Sequence, residues 1–100
     1  MAKINWTGEA EEWLKKIHDY IAQDNKDAAI RIVHSIYQRA EVLNDFPLIG
    51  QRLVDWPNRH IRVLLHGHYR IAYLIKNDET IDILGVFHGA LNLEKYLSKE

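Results

Sequence analysis

The sequence predicts an α+β domain: an N-terminal strand and a helical hairpin packed on one face of a small antiparallel sheet, in the order β-α-α-β-β-β with a short C-terminal helix. Two observations predict it. The apolar residues recur with helical spacing through the first half of the chain, then with the alternation of strands through the second. Turn residues fall where the period changes, at Asp24-Asn25, Phe46-Pro47 to Gly50, Gly67 and Asn77-Asp78.

Lys3 to Trp6 is the first strand. Thr7 is placed to cap the following helix, with Glu9, Glu11 and Glu12 in its first turns, where the helix dipole favours acids. Ala10, Trp13, Leu14, Ile17 and Ile21 form its apolar stripe. Asp24-Asn25 ends that helix, and Asn25 is placed to cap a second one, whose stripe is Ala29, Val33, Ile36, Ala40 and Leu43. Asn44 to Gly50 closes the helical half.

Ile61–Leu65, Tyr69–Ile75 and Ile81–Phe87 then read as three strands joined by antiparallel hairpins. Alternation assigns their faces. The odd positions Ile61, Val63, Leu65, Ile71, Tyr73, Ile75, Ile81, Ile83 and Phe87 make one apolar face, the expected seat of both helices. The even positions mix aliphatic residues with Arg62, His66, Arg70, Lys76, Asp82 and His88, and are expected on one open face suited to binding.

Composition narrows the function. The 100 residues, 47% of them hydrophobic, suffice for one domain, spanning 1–100, with one modest core. The absence of cysteine excludes disulfides and thiolate catalysis and suits a reducing compartment. No apolar run approaches the roughly 20 residues that span a bilayer, and no signal-peptide pattern opens the chain, so a cytoplasmic location without membrane partners is expected. The net charge of −1 argues against a wholly basic nucleic-acid binder. Yet between Gln51 and Asn77 the cations Arg52, Arg59, Arg62, Arg70 and Lys76 face a single acid, Asp55, and His60, His66 and His68 lie among them.

At this point the residues resemble a family. The pieces are Ile4-Asn5-Trp6-Thr7 entering a helix, Tyr20-Ile21-Ala22 followed by Asp24-Asn25, and Ala28-Ala29 opening the second helix. They continue with Leu43 through Arg52, Tyr69-Arg70-Ile71-Ala72-Tyr73 and Ile83 through Gly89. In order and spacing the chain resembles a RelE/ParE-superfamily toxin of type II toxin–antitoxin systems, closer to the ParE-like branch. The resemblance implies a cognate antitoxin that wraps the toxin, a toxin–antitoxin hetero-oligomer, and growth inhibition or plasmid stabilisation. It also implies one of two targets: DNA gyrase, inhibited without nuclease chemistry, or the ribosome, where RelE-like members cleave mRNA. An inactive member that only binds its antitoxin is a third reading.

Cleaving RNA without a metal takes cations and one group titrating near neutrality. Arg70 resembles the family's strand arginine that holds the scissile phosphate, and Arg62 and His60 lie near the lysines of RelE-like members. His88 is the general acid or base on this reading, since histidine titrates near working pH. Gly89 stands where RelE-like members carry another basic residue, and Tyr96 matches their terminal tyrosine only loosely. His88-Gly89-Ala90 resembles ParE-type members, so gyrase inhibition comes first and mRNA cleavage second. The candidate binding residues are Arg52, His60, Arg62, Trp56 and Tyr96.

Structural alternatives stand beside these. Arg70 pairs with Asp82 across a hairpin in one of them, as surface ion pairs commonly do, and His88 is a capping or hydrogen-bonded histidine in another. Tyr73 reads as core packing whose hydroxyl finds a polar neighbour, and Trp6 and Trp13 read as core residues. His66-Gly67-His68 with His60 or His88 has the flavour of a zinc site, but no cysteine or carboxylate completes it at a recognisable spacing. No metal and no cofactor are therefore expected.

Overall fold

Two side-chain caps fix where the helices start. Thr7 Oγ1 accepts the Ala10 amide at 3.1 Å, and Asn25 Oδ1 accepts the Ala28 amide at 3.0 Å. Each satisfies one of the amides that a helix N-terminus leaves without a partner. In a computed structural model describing residues 2–54, 59–77 and 79–89, these caps open α1 (Gly8–Ala22) and α2 (Lys26–Ala40). A 3₁₀ turn at Glu41–Asn44 continues α2 and buries Leu43.

The strands are β1 (Lys3–Trp6), β2 (Gln51–Arg52), β3 (Ile61–His66), β4 (Tyr69–Ile75) and β5 (Thr80–His88), ordered β1-β5-β4-β3-β2 in one sheet. The pairings β2·β3, β3·β4 and β4·β5 are antiparallel, while β1 joins β5 in parallel. Thr7 ties that edge down, its hydroxyl donating to Ile83 O at 2.7 Å. The two-residue β2 carries too short an alternation to be read from sequence. The expected C-terminal helix lies outside the described residues.

The register corrects the expected face assignment. Directly opposed residues share a face, and Leu64 opposes Ile71 while Arg62 opposes Tyr73. So β3 turns its even residues to the helices, where β4 turns its odd ones. The cause is the two-residue turn Gly67-His68, which pairs His66 with Tyr69 and so reverses parity. Gly67 takes φ 59°, as the first central residue of a type II′ hairpin requires. A second shift comes inside β5, where the register slips between Ala72 and Tyr73. Ile81 and Ile83 oppose Ile75 and Tyr73, but beyond the slip it is Val86 that opposes Ile71, and Phe87 opposes Arg70. An extra residue in one strand has this effect on every side chain after it.

The helix side of the sheet therefore carries Leu64, Ile71, Tyr73, Ile81, Ile83 and Val86, packed with Ala10 and Leu14 of α1 and Ile36 and Ala40 of α2. Ile61, Val63, Ala72 and Phe87 belong to a separate cluster with Trp13, Leu53, Leu74 and Leu84. These four are between 0% and 7% exposed, so the centre of the second face is a small core and not the open mixed surface expected. Trp13 meets Phe87 edge-on at 4.6 Å, and Trp6 packs on Tyr37 at 4.5 Å.

Candidate functional site

The site residues expected from sequence fall into two groups at opposite ends of β3. Arg52, His60 and Arg62 lie at its start, with Arg52 directly across the ladder from Arg62. Arg62 is committed to structure. Its Nε donates to His60 Nε2 at 2.9 Å, and its Nη1 donates to Leu48 O at 3.1 Å and Gly50 O at 2.5 Å. His60 must keep Nε2 unprotonated to accept that bond. Burial, with Arg52 and Arg62 nearby, holds its pKa below the usual histidine range.

Tyr73 completes this corner. Its buried hydroxyl accepts the Gly50 amide at 3.0 Å and donates to Pro47 O at 2.8 Å. A Cβ on Gly50 would lie 2.7 Å from both the Tyr73 hydroxyl and Val63 O, so only glycine fits there. Burial raises the Tyr73 pKa, partly offset by the Gly50 bond and Arg62, and the hydroxyl keeps its proton to donate. The segment from Pro47 to Gly50 is thus latched to the sheet by Tyr73 and Arg62.

Arg70 and His88 form the second group. Arg70 opposes Leu65, three residues along β3 from Arg62, which at strand rise is about 10 Å. Three is odd, so the two arginines also point to opposite faces. The single cationic face expected for Arg62, Arg70 and His88 is not formed. His88 opposes Tyr69 and faces the helix side, while Arg70 opposes Phe87 on the other.

These two nevertheless meet where the sheet ends. Arg70 and His88 line one cavity of about 460 Å³ with Gly67, His68, Tyr69 and Gly89. Arg70 Nη2 donates to Gly89 O at 2.8 Å, and the Gly89 amide donates to His68 O at 2.7 Å. The His68 and His88 rings stack with centroids 6.1 Å apart, and Tyr69 meets His88 edge-on at 5.8 Å. No carboxylate is among the lining residues. The arrangement offers a guanidinium for an anion and two imidazoles able to carry protons. His68 belongs to this group only because the Gly67-His68 turn swings it beside His88; the turn signal was the clue in the sequence.

The alternative pairing of Arg70 with Asp82 is corrected. Asp82 opposes Leu74 toward the other end of the hairpin and sits 3.4 Å from Lys76 Nζ, with Asn5 Nδ2 donating to it at 3.2 Å. His66 bonds Ser35 at 3.0 Å, and among the described residues no three histidines or carboxylates are grouped to hold a metal. Trp56 and Tyr96 lie outside the described residues.

A model of the ParE toxin of type II toxin–antitoxin systems matches residues 4–93, and the chain belongs to this ParE toxin family. A protein of Sinorhizobium fredii named "Putative toxin Y4kP" is 35% identical over 87 residues, covering 87% of this chain and 88% of that protein. The toxin–antitoxin complex RelBE2 from Mycobacterium tuberculosis contains a chain 25% identical, matched with TM-score 0.64 over 87% of this chain and 96% of that one. The chromosomal ParDE system of P. aeruginosa contains one matched with TM-score 0.71 at 21% identity, over 88% of this chain and 96% of that one, which is a likeness of fold. Among the described residues no helix is long and apolar enough to cross a membrane.

Proposed function

We propose that this chain is the toxin of a type II toxin–antitoxin module, kept inactive in a hetero-oligomer with its cognate antitoxin, and that its action is the ParE-like inhibition of DNA gyrase. The observation that carries the choice of target is the separation of Arg62 from Arg70. A metal-free RNA cleavage needs converging cations and a proton-transfer group around one phosphate. Here Arg62 spends its donors on His60, Leu48 and Gly50 on the face away from Arg70. The family match over residues 4–93 supports the toxin–antitoxin part of this reading.

A second reading, ribosome-dependent mRNA cleavage, is favoured by one observation: Arg70 and His88 do share a cavity. Tightly controlled expression separates the two. Gyrase inhibition predicts filamentation and an SOS response with translation intact, and loss of supercoiling by purified gyrase when the chain is added. Nuclease action predicts early loss of translation with in-frame mRNA cuts, abolished by Arg70→Ala at equal protein level. Normal growth without antitoxin, together with unaffected gyrase, would overturn both and leave a member that only binds antitoxin.

A further inference from the structure

The latch formed by Tyr73 and Arg62 holds a loop whose apolar side chains point outward. Phe46 is 60% exposed, Leu48 60% and Ile49 50%. The carbonyls of Pro47, Leu48 and Gly50 are meanwhile bound to the sheet's side chains. A loop free to relax would fold such side chains away; here the hydrogen bonds hold them out. Exposed apolar residues gathered on a fixed loop mark a binding surface.

The loop borders a cavity of about 480 Å³ lined by Ile49, Leu53, Leu65 and Gln51, with Arg39 and Arg70 also on its wall. Leu65 is 63% exposed and stands where β3 runs past the end of the two-residue β2. Arg39, in the last turn of α2, reaches that open edge and donates Nε to Leu65 O at 3.1 Å. An edge carbonyl capped by a cation is protected from casual strand pairing, so this surface is suited to side-chain recognition. Both charged residues lining the cavity are cations. The complementary ligand carries an aliphatic side chain for the cavity and carboxylates for the arginines.

We infer that the cavity between Ile49, Leu53 and Leu65, with Arg39 and Arg70 on its wall, is the docking site for an acidic segment of the antitoxin bearing an aliphatic anchor. The inference rests on the toxin–antitoxin reading and adds to it a location and a chemistry. A few anchors seated in desolvated pockets, arginines often among them, carry most of the binding energy of protein interfaces.

The test uses the full-length chain and the purified product of the adjoining reading frame, with binding followed by calorimetry at two salt concentrations. Leu65→Asp places a carboxylate where the anchor sits and is expected to weaken binding by about 30-fold or more. Arg39→Glu is expected to weaken it and to flatten its salt dependence. Ile30→Asp, at a position 61% exposed on α2, makes the same chemical change elsewhere and should stay within about threefold of the unsubstituted chain. Thermal unfolding of each variant confirms that it is folded. If the unsubstituted chain binds tightly and Leu65→Asp loses no more than Ile30→Asp, the docking site is wrong while the antitoxin reading stands. If the unsubstituted chain does not bind at all, both fail. If the chain alone dimerises and only Leu65→Asp abolishes the dimer, the surface belongs to a second copy, and the inference is overturned.

Discussion

Replacing Tyr73 by phenylalanine tests whether one hydroxyl holds the loop that separates the helical and strand halves. The ring is fully buried and its packing is kept, so the change removes one oxygen and opens no large cavity. Two bonds go with it, from the Gly50 amide and to Pro47 O. Gly50 is buried, and an amide left unpaired there costs about 1–3 kcal/mol. Pro47 is only half-buried, so its carbonyl regains water and the second bond counts at its net value of about 1 kcal/mol. The expected loss is about 2–4 kcal/mol, which in a domain of this size lowers Tm by roughly 10–20 °C. Urea unfolding followed by tryptophan fluorescence measures it, with the slope against denaturant unchanged. A loss under about 0.5 kcal/mol would show that Gly50 and Pro47 find other partners, and would refute the latch.

Three further outcomes follow from particular side chains. Tyr37 donates to Glu11 Oε1 at 2.5 Å, and burial, with that bond and the Glu11 charge, pushes its pKa from 10 up to about 12. Above pH 10 the unfolded chain loses this proton first, so stability present below pH 10 is lost as pH rises toward 12; absorbance titration should show a late tyrosine phase that Tyr37→Phe removes. His60 is shifted the opposite way. Its folded form binds protons more weakly than the unfolded chain, so its contribution is present above pH 6.5 and is lost on acidification below that value. Unfolding measured between pH 7 and pH 5 should depend less on pH in His60→Asn. Glu79 sits at φ 65°, which favours glycine, so Glu79→Gly is expected to stabilise the domain by about 0.5–1 kcal/mol, read as a Tm rise of a few degrees; a lower Tm would contradict it.

The helical half was legible because its signals are local. The caps at Thr7 and Asn25 and the stripes through Leu14 and Ile36 depend only on neighbours along the chain. The strands Ile61–His66, Tyr69–Ile75 and Thr80–His88 were legible within a residue at each end for the same reason. Arg70 and His88 were singled out by residue type, and the fold brings both to one cavity. Arg39 was missed, since a basic residue in a helix's last turn is ordinarily explained by the helix dipole. Its role depends on β2 being too short to cover β3.

The sequence by itself therefore determined the two helices and their starts, the first strand and the three long strands, the apolar residues available for a core and the family to which the chain belongs. Tertiary structure alone decided which residues share a face. A side chain's face is set by its parity, and parity carries through a hairpin only if the turn length and every strand register are known. The Gly67-His68 turn and the slip near Ala72 each change it by one. Together they bury Phe87, send Arg62 to the loop at Gly50, and leave Arg70 beside His88 at the sheet's end.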